Sequence, residues 1–300
     1  MRVYDNLENG HRAAIEDAEF IQGDLRTGEN LAAALRGVEV VVHFAAYIEV
    51  GVGEQNPAAF YENNVAGTLR LLAAMRQAGV DRIVFSSTAA VYGEPQTENL
   101  SERHPKNPTS VYGRTKWMVE QMLADFDRAH GLRSVCLRYF NSCGADPAGE
   151  HGEDHDPESH LIPLVIQTAL GQRSGIKLFG DDYPTPDGTC IRDYIHVDDL
   201  ATAHEAAVEH LLAGGESRAF NLGTGRGSSV REVIAAVEQV TGERVALEVE
   251  PRRAGDCSRL VADPTAIREE WGWEASHSSL DQIVEDAVRW HRAHPNGYED

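Results

Sequence analysis

The chain has 300 residues, 42% of them hydrophobic, with 27 glycines and 12 prolines; that suits one large domain or a domain with a lobe, not a repeat array or a disordered tail. Its 48 acidic against 27 basic residues give a formal net charge of −21, a polyanion that repels nucleic acid and acidic membranes. Apolar runs such as 40–46 fall far short of the roughly 18 residues that span a bilayer, and residues 1–6 do not read as a signal peptide.

In chain order, the short apolar, β-branched runs 2–4, 19–22, 39–44, 82–86 and 134–139 predict strands. Segments of helical period lie between them: 29–35, then 58–78 with apolar Leu69, Leu72 and Met75, then 111–130. The last opens after Pro108, Thr109 and Ser110 and stops at Gly131. This alternation predicts βαβ crossovers, hence an α/β, Rossmann-like, doubly wound parallel sheet. From 141 the pattern loosens, with loops at 141–158 and 180–189 and helices at 161–170, 197–212, 229–241 and 280–291. The expected division is a core at 1–140 and, at 141–300, a smaller interleaved lobe with segments returning to the core.

The most informative motif is Tyr112-Gly113-Arg114-Thr115-Lys116. A Tyr and a Lys four apart on a helix share one face. A phenol with a pKa near 10 is a poor base, and an ammonium one turn away favours its ionised form. Such a pair serves hydride transfer at an alcohol. Alone, the spacing also fits two solvated side chains on a helix surface. Its position adds weight, because upstream Phe85-Ser86-Ser87-Thr88 closes a predicted strand, and ligands of parallel sheets bind at that edge. Thr88 offers a hydroxyl to the reacting oxygen.

With these residues in place the chain resembles the extended short-chain dehydrogenase/reductase group and, within it, the UDP-glucose 4-epimerase family. The matching blocks run nearly the whole length: Val3-Tyr4-Asp5-Asn6-Leu7, His43-Phe44-Ala45-Ala46, Asn63-Asn64-Val65-Ala66-Gly67-Thr68, 85–93 (FSSTAAVYG), Arg138-Tyr139-Phe140-Asn141, 187–198 (DGTCIRDYIHVD), Asn221-Leu222-Gly223, 251–256 (PRRAGD) and the closing 294–298.

The resemblance implies NAD-dependent inversion at C4 of a UDP-hexose through a 4-keto sugar, with Tyr112, Lys116 and Thr88 catalytic. It places NAD against Asp5, Asn6, Asp24, Leu25, Phe44, Ala45, Ala46, Asn64, Tyr112, Lys116 and Phe140. A carboxylate at Asp5 accepts ribose hydroxyls and repels a 2′-phosphate, favouring NAD over NADP. The UDP-sugar falls to Thr88, Asn141, Phe179, Arg192, Arg253 and Asp256, where a guanidinium fork suits a diphosphate. Taken singly, each arginine is also an ordinary ion-pair partner. Dehydratases and decarboxylases of the group carry acidic residues after the Thr88 position; Ala89 and Ala90 stand here, and a methyl group does no acid/base work, which favours epimerisation. Leu260 occupies the family's size-determining position for N-acetylated sugars. A homodimer through 58–78 and 111–130 is expected by the same resemblance.

The group opens with a strand, a glycine-rich turn and a helix, and this chain starts at the second strand. A strand position between those holding Tyr4 and Val42 is thus expected to lie open. Two readings follow: Met1 is an internal position of a full enzyme, or the chain is a non-catalytic UDP-sugar-binding relative. For the polypeptide as written, weak NAD retention is expected.

The remaining conspicuous residues have plainer readings. His151, Glu153, Asp154, His155, Asp156 and His160 read as a solvated lid with no metal. Cys136, Cys143, Cys190 and Cys257 form no CxxC motif, so a reducing cytoplasm is the default. Trp271 and Trp273 read as packing residues. Lysine occurs only at 106, 116 and 177, and the acidic, arginine-biased composition points to a salt-adapted protein or to a GC-rich genome.

Overall fold

The computed structural model describes residues 1–300 except Glu16, Ala254 and Asp300. Its first half runs β1 (Arg2–Asp5), β2 (Glu19–Gln22), α1 (Leu31–Ala34), β3 (Val41–His43), α2 (Val50–Gln55), α3 (Pro57–Phe60), a π-helical turn (Tyr61–Gly67), α4 (Thr68–Ala78), β4 (Arg82–Thr88), α5 (Val111–His130) and β5 (Arg133–Tyr139). After these come β6 (Asn141–Cys143), α6 (Leu161–Ala169), β7 (Ile176–Phe179), β8 (Ile191–Arg192), β9 (Tyr194–His196), α7 (Val197–Leu212) and β10 (Arg218–Leu222). The chain ends with β11 (Ser228–Ser229), α8 (Val230–Thr241), β12 (Leu247–Glu250), β13 (Arg259–Leu260), α9 (Thr265–Trp271) and α10 (Leu280–Ala293).

The fold is α/β and Rossmann-like. The central sheet has the order β10-β5-β4-β3, all parallel. Strand β4 is buried on both faces, with Ile83, Val84 and Phe85 at 0%, 0% and 2% exposure, as a central parallel strand must be. One face is covered by α4 and α5, whose Leu72, Met75, Val119 and Leu123 pack on Ile83 and Phe85. The other is covered by α7, whose Leu200, Ala203, Ala207 and Leu211 pack on Val84 and Val135. Each such side chain, fully buried, contributes about 1.5–3 kcal/mol. Leu69, expected on the apolar face of its helix, is instead 48% exposed, because Leu72 and Met75 already face the sheet.

Strands β1 and β2 pair with each other in a separate parallel ladder. Among the described residues no ladder joins β1 to β3, and Val42 and Phe44 at that edge are exposed. A third core draws on residues from 143 onward, where α6, α8 and α10 pack around Ile166, Val237 and Val284. Strand β10, which completes the central sheet, has no counterpart among the predicted strands. Its five residues, Arg-Ala-Phe-Asn-Leu, carry an arginine and an asparagine in place of a β-branched run.

Candidate active site

The site forms at the C-terminal end of β4, where the strand passes at Thr88 into a short 3₁₀ turn, Ala89–Val91. The Thr88 hydroxyl accepts a hydrogen bond from Ala90 N at 3.2 Å and so caps that turn. Helix α5 starts alongside. Ser110 Oγ accepts from Gly113 N at 3.0 Å, and Glu54 of α2 accepts from Val111 N at 2.7 Å, two acceptors at the positive end of a helix dipole. Gly113 is required for the approach, since a Cβ there meets the Ala90 carbonyl oxygen at 2.5 Å. The close contact brings Tyr112, in the first turn of α5, against Thr88.

Tyr112 is half-buried and Lys116 is buried at 2% exposure. The Lys116 ammonium lies 5.9 Å from the Tyr112 ring centroid and 4.9 Å from that of Phe85, and donates to the Ser86 carbonyl at 2.7 Å. The three residues read as catalytic are therefore together, with Tyr and Lys on one helix face. Their electrostatics differ from the expectation. Burial pushes the Tyr112 phenol up to about 12, opposed only by a hydrogen bond with Thr88; burial also pulls Lys116 down to about 7, against the pull of Glu120. Lys116 does not depress the phenol in this arrangement, because its hydrogen bond goes to Ser86 and desolvation acts on both groups.

A buried network that the sequence reading missed supports this helix face. Glu120, one turn beyond Lys116, accepts from Ser87 Oγ at 2.5 Å and pairs with Arg138 at 2.9 and 2.5 Å. Arg138 donates to Tyr92 Oη at 3.0 Å, and Tyr92 donates to Asn221 Oδ1 at 2.6 Å. The signal was present as an i, i+4 spacing from Lys116 to Glu120. Tyr139 also belongs here: burial raises its phenol and the field of Tyr112 adds to the rise, while a bond with Ser86 opposes it.

The residues assigned to the cofactor end β1 or follow β1, β2, β3 and β5, with Asn64 in the π-helical turn and Tyr112 and Lys116 on α5. Asp5 Oδ1 accepts from Leu7 N at 2.6 Å, and no described residue donates to its second oxygen. Asp24 is bound by Arg26, 2.6 Å away, and by Asn6 at 3.2 Å, and Arg26 holds its carboxyl down at about 2. Sequence reading did not find Arg26, which also donates to Tyr47 Oη at 2.6 Å and Glu8 at 2.7 Å. Leu25 is in the core beside Leu71. Phe44 and Ala45 are exposed and Ala46 half-buried at the end of β3, with Phe44 against His204 at 4.9 Å. Asn64 sits in the π-helical turn, accepts from Tyr47 N at 2.8 Å and donates to Tyr47 O at 2.9 Å and Thr115 Oγ1 at 3.0 Å. It is a clamp between the β3 loop and α5. Phe140 and Leu260 both pack against the buried cluster of Ala89, Val91, Tyr92 and Leu100.

The substrate-assigned residues gather in the lobe. Arg192 donates through one guanidinium nitrogen to Ile191 O and Cys257 O, both at 2.9 Å, and faces Asp256 at 3.7 Å. Arg253 donates to Asp256 at 2.9 Å and lies 4.8 Å over the Phe179 ring. Asn141 Nδ2 donates to Asp193 O at 2.9 Å, next to Arg192 in the chain. Leu260 pairs in register with Arg192, which joins this group to the Ala89–Tyr92 turn. In the 251–256 block, Ala254 lies outside the described residues. Two cavities, of about 150 and 260 Å³, lie elsewhere, and neither lining includes Thr88, Tyr112 or Lys116.

The donor set at the sheet edge fits a dinucleotide: a carboxylate oxygen left free at Asp5, small or exposed residues at 44–46, and a buried ammonium. Residues 1–223 match the NAD dependent epimerase/dehydratase family. The UDP-glucose 4-epimerase of Halalkalibacterium halodurans is 51% identical over 298 residues, 99% of this chain and 89% of that protein. A crystal structure of UDP-glucose 4-epimerase from Brucella ovis in complex with NAD is 47% identical with a TM-score of 0.94, covering 96% of this chain and 89% of the other. That of the Bifidobacterium longum enzyme with NAD+ and UDP is 37% identical, also at 0.94, over 99% and 92% of the two chains.

Proposed function

The chain belongs to the NAD dependent epimerase/dehydratase family, and from that membership and the geometry of its site we propose that Tyr112, Lys116 and Thr88 carry out epimerisation at C4 of a UDP-hexose such as UDP-glucose or UDP-galactose. The observation that carries the reading is the placing of those three side chains at one strand end, in a chain about half identical to UDP-glucose 4-epimerases over nearly its whole length.

NAD, when bound, supplies a reversible two-electron acceptor, so the reaction has no net redox change. Asp5 would take its adenosine ribose, with Asn6, Asp24 and Leu25 beside the adenine, Phe44, Ala45, Ala46, Asn64 and Phe140 along its length, and Lys116 at the nicotinamide ribose. Tyr112 receives the proton of the sugar 4-hydroxyl at its phenolic oxygen and returns it after inversion. Thr88 bonds the same sugar oxygen and the phenol, holding both in line. Lys116 stands one helical turn from the phenol, and with the cofactor bound its positive charge would favour the ionised phenol that burial alone disfavours. Ala89 is buried at 3% exposure, and neither it nor Ala90 offers the acid that elimination or decarboxylation requires.

Residues 1–140 carry the cofactor in this reading and 141–300 mainly the sugar nucleotide. Arg192 and Arg253 grip the diphosphate, and Asn141, Phe179 and Asp256 complete the grip. Two copies pair through the helices at 58–78 and 111–130, whose outward Leu69 and Met118 are exposed. Among the described residues no helix is long and apolar enough to cross a membrane, and the four free cysteines suit a reducing cytoplasm. The high acidic content suits a salt-rich one. Incubation with UDP-galactose and NAD, followed by product analysis, tests the reaction. UDP-glucose is expected as the product, formed far more slowly by Tyr112→Phe; a 4-keto-6-deoxy product, no turnover, or a pentose from UDP-glucuronic acid supplied in a parallel incubation overturns it.

A further inference from the structure

The segment 151–160, read in sequence as a solvated lid, is half exposed in the structure, with His155 and His160 on its solvent side. Four of its side chains converge. His155 Nδ1 lies 3.3 Å from Glu153 Oε1 and 3.7 Å from Glu158 Oε2. His160 Nδ1 lies 4.0 Å from Glu158 Oε1 and in close contact with Glu153 Oε1. One donor atom from each residue stands within 4.8 Å of the other three. Around a tetrahedral ion with bonds of about 2.0–2.2 Å, neighbouring donors sit about 3.3 Å apart; the His160–Glu153 pair would open to admit the ion and the wider pairs would close on it.

The burial is graded as well. The Glu158 and Glu153 side chains are 4% and 16% exposed, and the two histidines 36% and 45%. The carboxylates form a floor and the imidazoles a rim. Two carboxylates held this close need positive charge between them, from the two imidazolium rings or from a bound cation. A second, independent observation lies beneath. His291 of α10 lines the same cavity of about 150 Å³. It is 7% exposed and has no hydrogen bond or ion pair among the described residues.

We propose that Glu153, His155, Glu158 and His160 form a structural site for one divalent zinc-type ion, bordering the cavity that His291 lines. Imidazole and carboxylate together suit zinc and its neighbours, whereas magnesium and calcium take oxygen alone. The ion would staple the loop that ties the chain ends together. Asp154, inside the loop, accepts from Tyr298 N at 2.9 Å and faces His11 Nε2 at 3.3 Å, while His160 immediately precedes α6.

The test uses the full chain, stripped with chelator and titrated with ZnCl₂ alone, MgCl₂ serving as control. One zinc per chain by elemental analysis, a rise in Tm absent with magnesium, and a tetrahedral visible spectrum with Co²⁺ are expected. His155→Gln and His160→Gln should each weaken binding by more than about tenfold, with the zinc-induced rise in Tm read against each variant's own stripped form, since either change also removes an ion-pair partner of Glu153. The Co²⁺ spectrum of the unaltered chain keeps the test open should a variant fail to fold. Absence of saturable zinc binding, or binding unchanged by both substitutions, overturns the site and leaves an ion-pair cluster. Epimerase turnover, measured separately, bears on the reaction and not on this site.

Discussion

Lys116 gives its hydrogen bond to the Ser86 carbonyl at 2.7 Å while its ammonium stands 5.9 Å from the centre of the Tyr112 ring. The cation is thus tied to the strand whose end carries Thr88, one helical turn from the phenol. Burial pushes the phenol up to about 12 and the lysine down to about 7, so each resists its charged form. Tyr112→Phe removes the proton acceptor and should lower kcat by about 10²–10⁴. Lys116→Met keeps the acceptor and removes the charge, so the rise of kcat with pH should move to higher pH. An unmoved limb in the pH–rate profile refutes the role given to the lysine.

Glu120 and Arg138 form an ion pair whose side chains are each 5% exposed. Removing one partner leaves the other charge buried, so Glu120→Gln should cost about 3–5 kcal/mol in denaturant unfolding. A Glu120→Leu, Arg138→Met double variant should recover most of that loss, since it leaves neither charge uncompensated. Glu120 also raises Lys116. The single variant should therefore shift the pH–rate profile as well as the unfolding midpoint, whereas a purely structural pair would move only the midpoint.

His43 is 4% exposed, and its Nε2 is 2.8 Å from Thr68 Oγ1. Burial, with Lys116 adding, pulls it down to about 3. The unfolded chain takes up a proton near pH 6.5 and the folded one only near 3, so the unfolded state binds more protons in between. Stability is then lost as pH falls through that window, by up to about 1.4 kcal/mol per unit for this one group. His43→Gln should flatten the dependence of the urea midpoint on pH between 6.5 and 4; an identical slope in the variant means other groups carry it.

Much of this was legible from the chain alone. Where a run was buried on both faces, as at Ile83–Val84–Phe85, or where a helix carried a capping serine and a terminal glycine, as at Ser110 and Gly131, local pattern and tertiary demand agreed. The expectation failed where they parted. Strand β10 is held by its neighbour β5 and lacks a strand-like composition of its own. The phenol–lysine pair was placed correctly, but its ionisation depends on burial and on where the ammonium sends its hydrogen bond, which spacing does not encode. The histidines at 155 and 160 were visible as residues, yet only the fold of their loop shows that both present Nδ1 to the same two carboxylates.

Arg192 and Arg253 meet at one carboxylate, Asp256, from different degrees of exposure: their side chains are 16% and 62% exposed. Arg192 is fixed by two main-chain carbonyls, so Arg192→Ala removes structural bonds along with a diphosphate contact and should raise KM and lower Tm. Among the described residues Arg253 is held by Asp256 and the Phe179 ring alone; exposed pairs of this kind are worth about 0–1 kcal/mol, so Arg253→Ala should raise KM for the UDP-sugar with Tm nearly unchanged. Because the diphosphate is the same in substrate and product, losing a contact there weakens ground and transition states alike, and kcat should be preserved. Arg253→Lys restores charge without the planar fork and should recover KM only in part. A fall in kcat at constant KM in the Arg253 variants would place this arginine at the reacting end of the sugar instead.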